Sequence, residues 1–358
     1  ISSPLVEAGW TVEVHQGGID SLLSRAIEDL EFLPLLLESR YISGNRQLAE
    51  RLDEALEGFL RERQELFLSA LCAASQARLE WLEDPGNWME PNLEQNPGGL
   101  AEISAIRTAC WLVSNVRNLE DAIFGGYMTR QEVDILQQAE KTYARILNLL
   151  RLFTDRSTST LSFEQQERLA DKLGYQARSG FLPVESFMQS VYQLFHGVAA
   201  VAQEFWERLR ESREDPQEQG EPLAGLEEAG IVVRSGRIHV QTDRYPAAAA
   251  QLIHLFALAA ATGKPLANVT RQWIRHHRNV LDAAAGDPMV RDSLLELIRR
   301  DHPRLPFVRA FYNQGLMVSL IPELAASHGL VQHDAFHLYP LQEHHLRTLA
   351  ELKRIFLG

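Results

Sequence analysis

The sequence predicts a mainly α-helical chain: a helical bundle followed by a second helical region, with one β-hairpin and a terminal strand. Three observations carry this. Apolar residues recur at three- and four-residue spacing over most of the 358 positions. Two β-branched runs flank a two-residue turn at one place only, Ile231–Arg234 and Arg237–Val240 around Ser235-Gly236. The segment 211–222 has no apolar residue apart from its two prolines and separates the helical stretches as a linker.

Trp10–Val14 alternates like a short strand and ends at Gly17-Gly18. Asp20 is placed to cap a helix whose apolar face is Leu22, Leu23, Ala26, Ile27, Leu30, Leu33 and Leu37, with Gly44-Asn45 breaking it. From Leu48, Leu52, Leu56 and Leu60 a second helical pattern runs unbroken to about Leu82. Residues 83–99 form a loop rich in Pro, Gly and Asn, and helical spacing resumes with Leu100, Ile103, Ile106 and Cys110. Thr129 with Glu132, and Ser162 with Gln165, have the spacing of a capping box and predict helix starts. A long apolar helix follows from Val184 to about Leu209. Helical patterns return from Tyr245 to the end. The implied domains are 1–18, a bundle over 19–210, linker and hairpin over 211–245, and a second helical region over 246–358.

Composition limits the function. The formal net charge of -13, from 35 basic and 48 acidic residues, repels phosphate backbones and argues against nucleic acid as a general partner. The apolar stretch Ala247–Ala261 is interrupted by Gln251 and His254 and is too short for a membrane span, so it reads as a buried helix and no membrane partner is expected. Cys72 and Cys110 lie inside apolar helical patterns, which fits a reducing cytoplasm rather than a disulfide framework. The chain opens at Ile1 with no basic stretch ahead of an apolar one, so it is expected to be a fragment of a longer protein rather than to begin with a signal peptide.

Motifs for chemistry are few. There is no phosphate-binding Gly-x-x-x-x-Gly-Lys loop, no Gly-x-Gly-x-x-Gly, no Cys-x-x-Cys and no Gly-x-Ser-x-Gly. The Asp-x-Asp pair that nucleotidyl transfer needs to hold magnesium is absent, so the chain alone is expected to be inactive in that reaction. In the loop Glu90–Leu100, Gly98-Gly99 stand before a helix and have two readings. They expose backbone N–H groups to a phosphate or other anion, with Asn92 beside them, or they simply let the chain turn tightly. His328, His333, His337, His344 and His345 crowd the C-terminal stretch with Asp334, and His333 and His337 share a helical face. They read as metal ligands or as capping, half-buried histidines. Cys72 and Cys110 have no histidine partner nearby in sequence and read as core residues. Arg275-His276-His277-Arg278 reads as a solvated helix face or as a site for an anion or acidic partner.

Two segments resemble the bacterial PII uridylyltransferase family. Glu90-Pro-Asn-Leu-Glu-Gln-Asn-Pro-Gly-Gly-Leu100 is similar to the family's Glu-Pro-Asn-x-Lys-x-x-x-Gly-Gly-Leu-Arg-Asp segment. Ile321-Pro-Glu-Leu, Val331-Gln-His-Asp-Ala-Phe-His-Leu-Tyr339 and Glu343-His-His-Leu-Arg-Thr-Leu349 are similar to the family's run just ahead of its HD domain, and Ala26–Arg40 resembles its first helix after the transferase core. The resemblance implies a nucleotidyltransferase core that uridylylates PII signalling proteins, an HD phosphohydrolase that removes the UMP, and a role in nitrogen-status signalling in the cytoplasm. It implies magnesium and a transition metal, manganese or iron, in the full-length family. On this reading residues 1–18 are a remnant of the transferase core and residues 246–358 lead into an HD domain. His344 then matches the first HD metal ligand, in a site this chain does not complete. The chain departs from the pattern at Glu94, Ala101 and Glu102, where the family has Lys, Arg and Asp; losing Lys and Arg removes two phosphate donors. The expected role is a helical scaffold between the two catalytic domains. The alternatives are a non-catalytic, protein-binding module of a degenerate member and the scaffold of an HD-type phosphohydrolase.

Overall fold

The computed structural model describes residues 7, 12–80, 89–116, 118–154, 158–177, 181–213, 220–223, 230–284, 286–327 and 341–357. These are mainly helical, with one small sheet among them. The chain divides into two compact units, residues 1–77 with 104–126, and residues 78–103 with 127–358.

The first unit holds α1 (Ile19–Glu28), α2 (Phe32–Leu37), α3 (Arg46–Glu62), most of α4 (Gln64–Glu80), most of α5 (Leu100–Ser114) and α6 (Asp121–Phe124). Its core takes Leu23 and Ala26 from α1, Phe32, Leu33 and Leu36 from α2, and Leu56 and Leu60 from α3. Phe32 and Leu36 lie outside the predicted stripe and Ile27 of that stripe is exposed, because the one helix expected here breaks at residues 29–31. The first helix starts slightly earlier than expected. Gly18 is its N-cap and Asp20 lies in its first turn, where a carboxylate complements the unpaired N–H groups. The pattern expected to run unbroken to Leu82 is two helices. Arg63 leaves the helical region (φ -115°, ψ 17°), and its guanidinium rests 4.7 Å above the Phe59 ring. Phe59 and Phe67 then meet across the break, 5.7 Å apart.

The terminal strand is a correction. Residues 12–14 have no regular structure, while Trp10 and Thr11 lie outside the described residues. No other strand of this unit is present among the described residues, so an extended run here has nothing to accept its ladder N–H groups.

The second unit begins with the loop around Asn92 and then α7 (Arg130–Phe153), α8 (Phe163–Leu173) and α9 (Pro183–Glu211). The Thr129 capping box is complete: Glu132 N donates to Thr129 Oγ1 at 3.2 Å and Thr129 N donates to Glu132 Oε2 at 2.6 Å. At the second box, Ser162 N donates to Gln165 Oε1 at 3.0 Å. α9 has 29 residues, starts on a proline as helices tolerate, and buries Phe187, Val191, Phe195 and Phe205. Tyr143 of α7 and Tyr192 of α9 pack on Phe195 at ring-centroid distances of 5.5 and 6.1 Å.

The hairpin stands where period-two spacing puts it. β2 (Ile231–Arg234) pairs with β3 (Arg237–Val240), Ile231 opposite Val240 and Arg234 opposite Arg237. Ser235 and Gly236 both have positive φ, 49° and 72°, which is the turn whose twist matches a hairpin. A third strand, β1 (Glu221–Pro222), pairs antiparallel with β2 inside the segment read as linker, so the sheet has three strands. Its side chains carry no apolar signal because a strand this short is held by backbone hydrogen bonds. Residues 214–219 of the linker lie outside the described residues.

Beyond the hairpin, α10 (Ala249–Thr262) is the central helix and is formed by the apolar stretch noted in the sequence, with Leu252, Ile253, Leu255 and Phe256 buried. Packed around it are α11 (Asn268–His276), α12 (Asn279–Asp282), α13 (Pro288–Arg300), α14 (Pro306–Asn313), α15 (Leu316–Leu320), a 3₁₀ turn over Pro322–Ser327 and α16 (Leu341–Leu357). Phe256 and Phe311 meet nearly perpendicular at 5.1 Å. No helix among the described residues is long and apolar enough to cross a membrane.

Charges tie the last turns of α9 to α11. Glu204, 8 % exposed, receives Arg271 Nε at 3.2 Å and both terminal nitrogens of Arg275, at 3.1 and 3.3 Å. Arg271, 4 % exposed, also pairs with Glu207 and donates to the Leu266 carbonyl at 2.6 Å. Burial pushes the Glu207 carboxyl up, with the Arg271 charge opposing and the Glu204 charge adding. Glu211 accepts from Asn268 N at 2.7 Å. Arg275, read as part of a free basic cluster, is thus a partner of Glu204. Removing Arg271 leaves the buried Glu204 with Arg275 alone and the half-buried Glu207 without the guanidinium paired to it. Arg271→Ala is expected to lower stability by about 3–5 kcal/mol, read from the urea midpoint at pH 7; a loss below about 1 kcal/mol would mean that the pair behaves as a solvated surface pair.

Candidate functional site

The loop over residues 90–99 is built against α7, α8 and α9. Asn92 Oδ1 accepts from Glu94 N and Gln95 N, both at 2.9 Å, and Asn92 Nδ2 donates to Thr160 Oγ1 at 3.2 Å. Leu93 N donates to Ser159 O and Leu161 N to Pro91 O, a strand-like bridge that pins the loop to the segment before α8. Glu90 Oε1 accepts from Phe163 N, the first N–H of α8. Gly98 has φ +84°, and a Cβ there would stand 2.0 Å from the Phe195 carbonyl oxygen of α9. Its own carbonyl accepts from the buried Tyr143 hydroxyl at 2.9 Å. A Cβ on Gly99 would meet the Leu93 and Glu94 carbonyls at 2.7 Å.

This geometry bears on the two readings of the glycine pair. Gly98 and Gly99 are buried. The N–H groups of Gly99, Leu100, Ala101 and Glu102 donate to Asn96, Leu93, Glu94 and Gly99 carbonyls, so the start of α5 offers its donors to its own loop. The turn reading accounts for these contacts, and an anion has no free backbone donors among these four. The departures from the family pattern are engaged as well. Glu94, standing where Lys is usual, accepts from Ser159 Oγ at 2.9 Å and lies 3.4 Å from Arg151. Glu102, standing where Asp is usual, is buried against Arg78 at 2.8 Å. Cys110 is buried, and burial pushes its thiol up to about 12, so it is a core residue rather than a nucleophile.

The second candidate region is α16. His344 and His345 are both exposed, with ring centroids 6.4 Å apart. His328, His333, Asp334 and His337 lie outside the described residues. Among the described residues no group of three or more His, Cys, Asp or Glu is arranged to hold a metal ion. What holds α16 is its opposite face. Glu343, 4 % exposed, pairs with Arg309 of α14 and with Arg347 Nε at 2.8 Å, Leu346 enters the core, and the Lys353 ammonium caps the end of α13 by donating to the Ile298, Arg299 and Asp301 carbonyls. The Glu343–Arg347 pair was visible as an i,i+4 spacing. Arg309 and Lys353 had no local signal, because their partners are 34 and 52 to 55 residues away.

With both regions placed, the chain can be set beside known proteins. The family model described as GlnD PII-uridylyltransferase matches residues 66–206, from α4 to the last turns of α9 and so including the whole loop. Proteins named bifunctional uridylyltransferase/uridylyl-removing enzyme align over nearly the whole chain. One from Azotobacter vinelandii is 26 % identical over 97 % of this chain, one from Xanthomonas campestris pv. campestris 27 % over 93 %, and one from Ruegeria pomeroyi 24 % over 92 %. Over nearly its whole length the chain is similar to proteins of that name, at 24 to 27 % identity. It spans about two fifths of the length of these relatives, 37 to 39 %. No solved structure matches the chain.

The test of the loop is steric. Gly98→Ala combines a positive φ with a backbone clash and is expected to destabilise by roughly 3–5 kcal/mol. Gly263→Ala, at φ +67° with nothing within 4 Å of the new Cβ, is expected to lose only about 1 kcal/mol. Thermal or urea unfolding of the two variants side by side checks this, and equal losses would mean that the Gly98–Phe195 approach is not a constraint.

Proposed function

We propose that the chain is the helical scaffold of a PII-uridylyltransferase-like protein, placed between a nucleotidyltransferase core and an HD phosphohydrolase domain and acting in cytoplasmic nitrogen-status signalling with a PII-like partner. The observation that carries this reading is the division of α16 into two faces. One face is fastened to the second unit by Glu343, Leu346 and Lys353. The other carries His344, Thr348, Leu352 and Ile355 at helical spacing, with Leu352 46 %, Ile355 66 % and Phe356 77 % exposed. An apolar stripe of this kind in a folded protein is a surface that another protein element covers. It lies about two to three turns further along the same face as the histidine that resembles the first HD ligand.

A transition metal needs several donors at once, and the described residues near His344 supply one, so they do not make up a metal site and no catalytic step is assigned to them. The inward-turned loop at Gly98-Gly99 favours a second reading, a non-catalytic binding module that keeps the scaffold after losing phosphate donors.

Two measurements test the proposal. The 358-residue chain, supplied with UTP, magnesium and a PII protein, is expected to leave PII unlabelled, and magnesium-dependent labelling would overturn the assignment. In a longer protein with an intact downstream His-Asp pair, His344→Ala is expected to abolish metal-dependent removal of UMP, while His345→Ala, about 100° further round the helix, leaves most of it. Equal losses would show that His344 is not the ligand position.

A further inference from the structure

The outer face of α7 carries a feature that the scaffold reading does not use. Two adjoining grooves run along it. The larger, about 840 Å³, lies between α7, the C-terminal end of α8 and the N-terminal end of α9; the smaller, about 560 Å³, continues along α7 to Leu152 and Lys172. They share Lys141 and Arg145, one helical turn apart. No carboxylate lines either groove.

This is unusual in a chain with formal net charge -13. The buried and half-buried arginines Arg78, Arg208 and Arg271 of this unit are matched, with Glu102, Glu132 and Glu204. Lys141, Arg145 and Lys172 form no ion pair or hydrogen bond among the described residues. Apolar surface accompanies them. Phe181 and Leu173 line the larger groove, and Leu152, 78 % exposed, stands at the far end of the smaller.

We infer that this face docks an acidic peptide segment of a partner protein, one that also carries large apolar side chains. Charge selects the partner's sign: three cations whose side chains form no ion pair, in grooves lined by no carboxylate, attract anions and reject cations. Shape selects a polypeptide over a compact anion. From Gln138 to Leu152 the face is about 21 Å long at 1.5 Å per helical residue, the reach of about six or seven extended residues. The exposed Leu152 and the half-buried Phe181 give such a segment apolar anchors that a free phosphate would not use.

The test pans the 358-residue chain against a randomised 12-residue peptide library, then measures the selected peptides by fluorescence anisotropy. Enriched peptides are expected to be net acidic with at least one large apolar residue, to bind Lys141→Glu/Arg145→Glu at least tenfold more weakly, and to lose affinity as salt rises. Both side chains are exposed, so the double variant is expected to keep the parent unfolding midpoint. If it does not, Lys141→Gln/Arg145→Gln takes its place with the same expected loss. Enrichment of neutral or basic peptides, no enrichment, or affinity unchanged in the variants would overturn the inference. Inorganic phosphate binding at micromolar concentration in titration calorimetry, abolished by the same variants, would overturn it in favour of a small-anion site.

Discussion

Glu204 sits on the longest helix of the chain with almost no solvent contact, and a carboxylate so placed is tolerable only because Arg271 and Arg275 reach it from α11. The rest of the second unit is organised along that helix. Near its middle the backbone of Phe195 is approached by Gly98, closer than any side chain would permit, and Tyr143 closes the contact by donating to the Gly98 carbonyl. At its end Glu204, Glu207 and Glu211 meet Arg271, Arg237 and the N–H of Asn268. α9 is therefore held by backbone proximity at its middle and by buried charge near its end. Apolar side chains along it, Phe187, Val191, Val198 and Phe205 among them, fill the remaining space.

Those two devices make different demands on sequence. The glycine contact tolerates no Cβ, so it fixes residue identity at one position. The charge cluster requires that carboxylates and guanidinium groups arrive together, because either one alone would be left buried and unpaired. The same logic recurs at α16, where Glu343 with Arg309 and Lys353 with three carbonyls at the end of α13 fasten one face and leave His344 on the other. A helix held this firmly on one side presents its free side in a defined orientation, which is what a ligand-bearing or domain-contacting face needs.

Much of this fold was legible in the sequence. Helical periodicity located the stripes of α1, α3, α5, α9 and α10, the capping boxes located the starts of α7 and α8, and Ser235-Gly236 between β-branched runs located the hairpin. Each is a local signal, set by side-chain spacing or by the φ a turn requires. The misreadings were also local in origin. The break at Arg63 and the strand β1 leave no mark in apolar spacing, and Trp10–Val14 alternates like a strand without a neighbouring strand to complete it among the described residues.

The sequence by itself determined the helical class, the hairpin, the family likeness and the identity of the loop and histidine segments. Only the tertiary structure decided what those segments do. The N–H groups of Gly99 to Glu102 donate into their own loop, which α9 lies against, and Arg275 is a partner of Glu204 because α9 and α11 are packed together. His344 faces outward because the residue before it is drawn inward by Arg309. Each of these outcomes depends on a partner 34 to about 100 residues away, and no pattern within a few turns of chain encodes which distant residue will arrive.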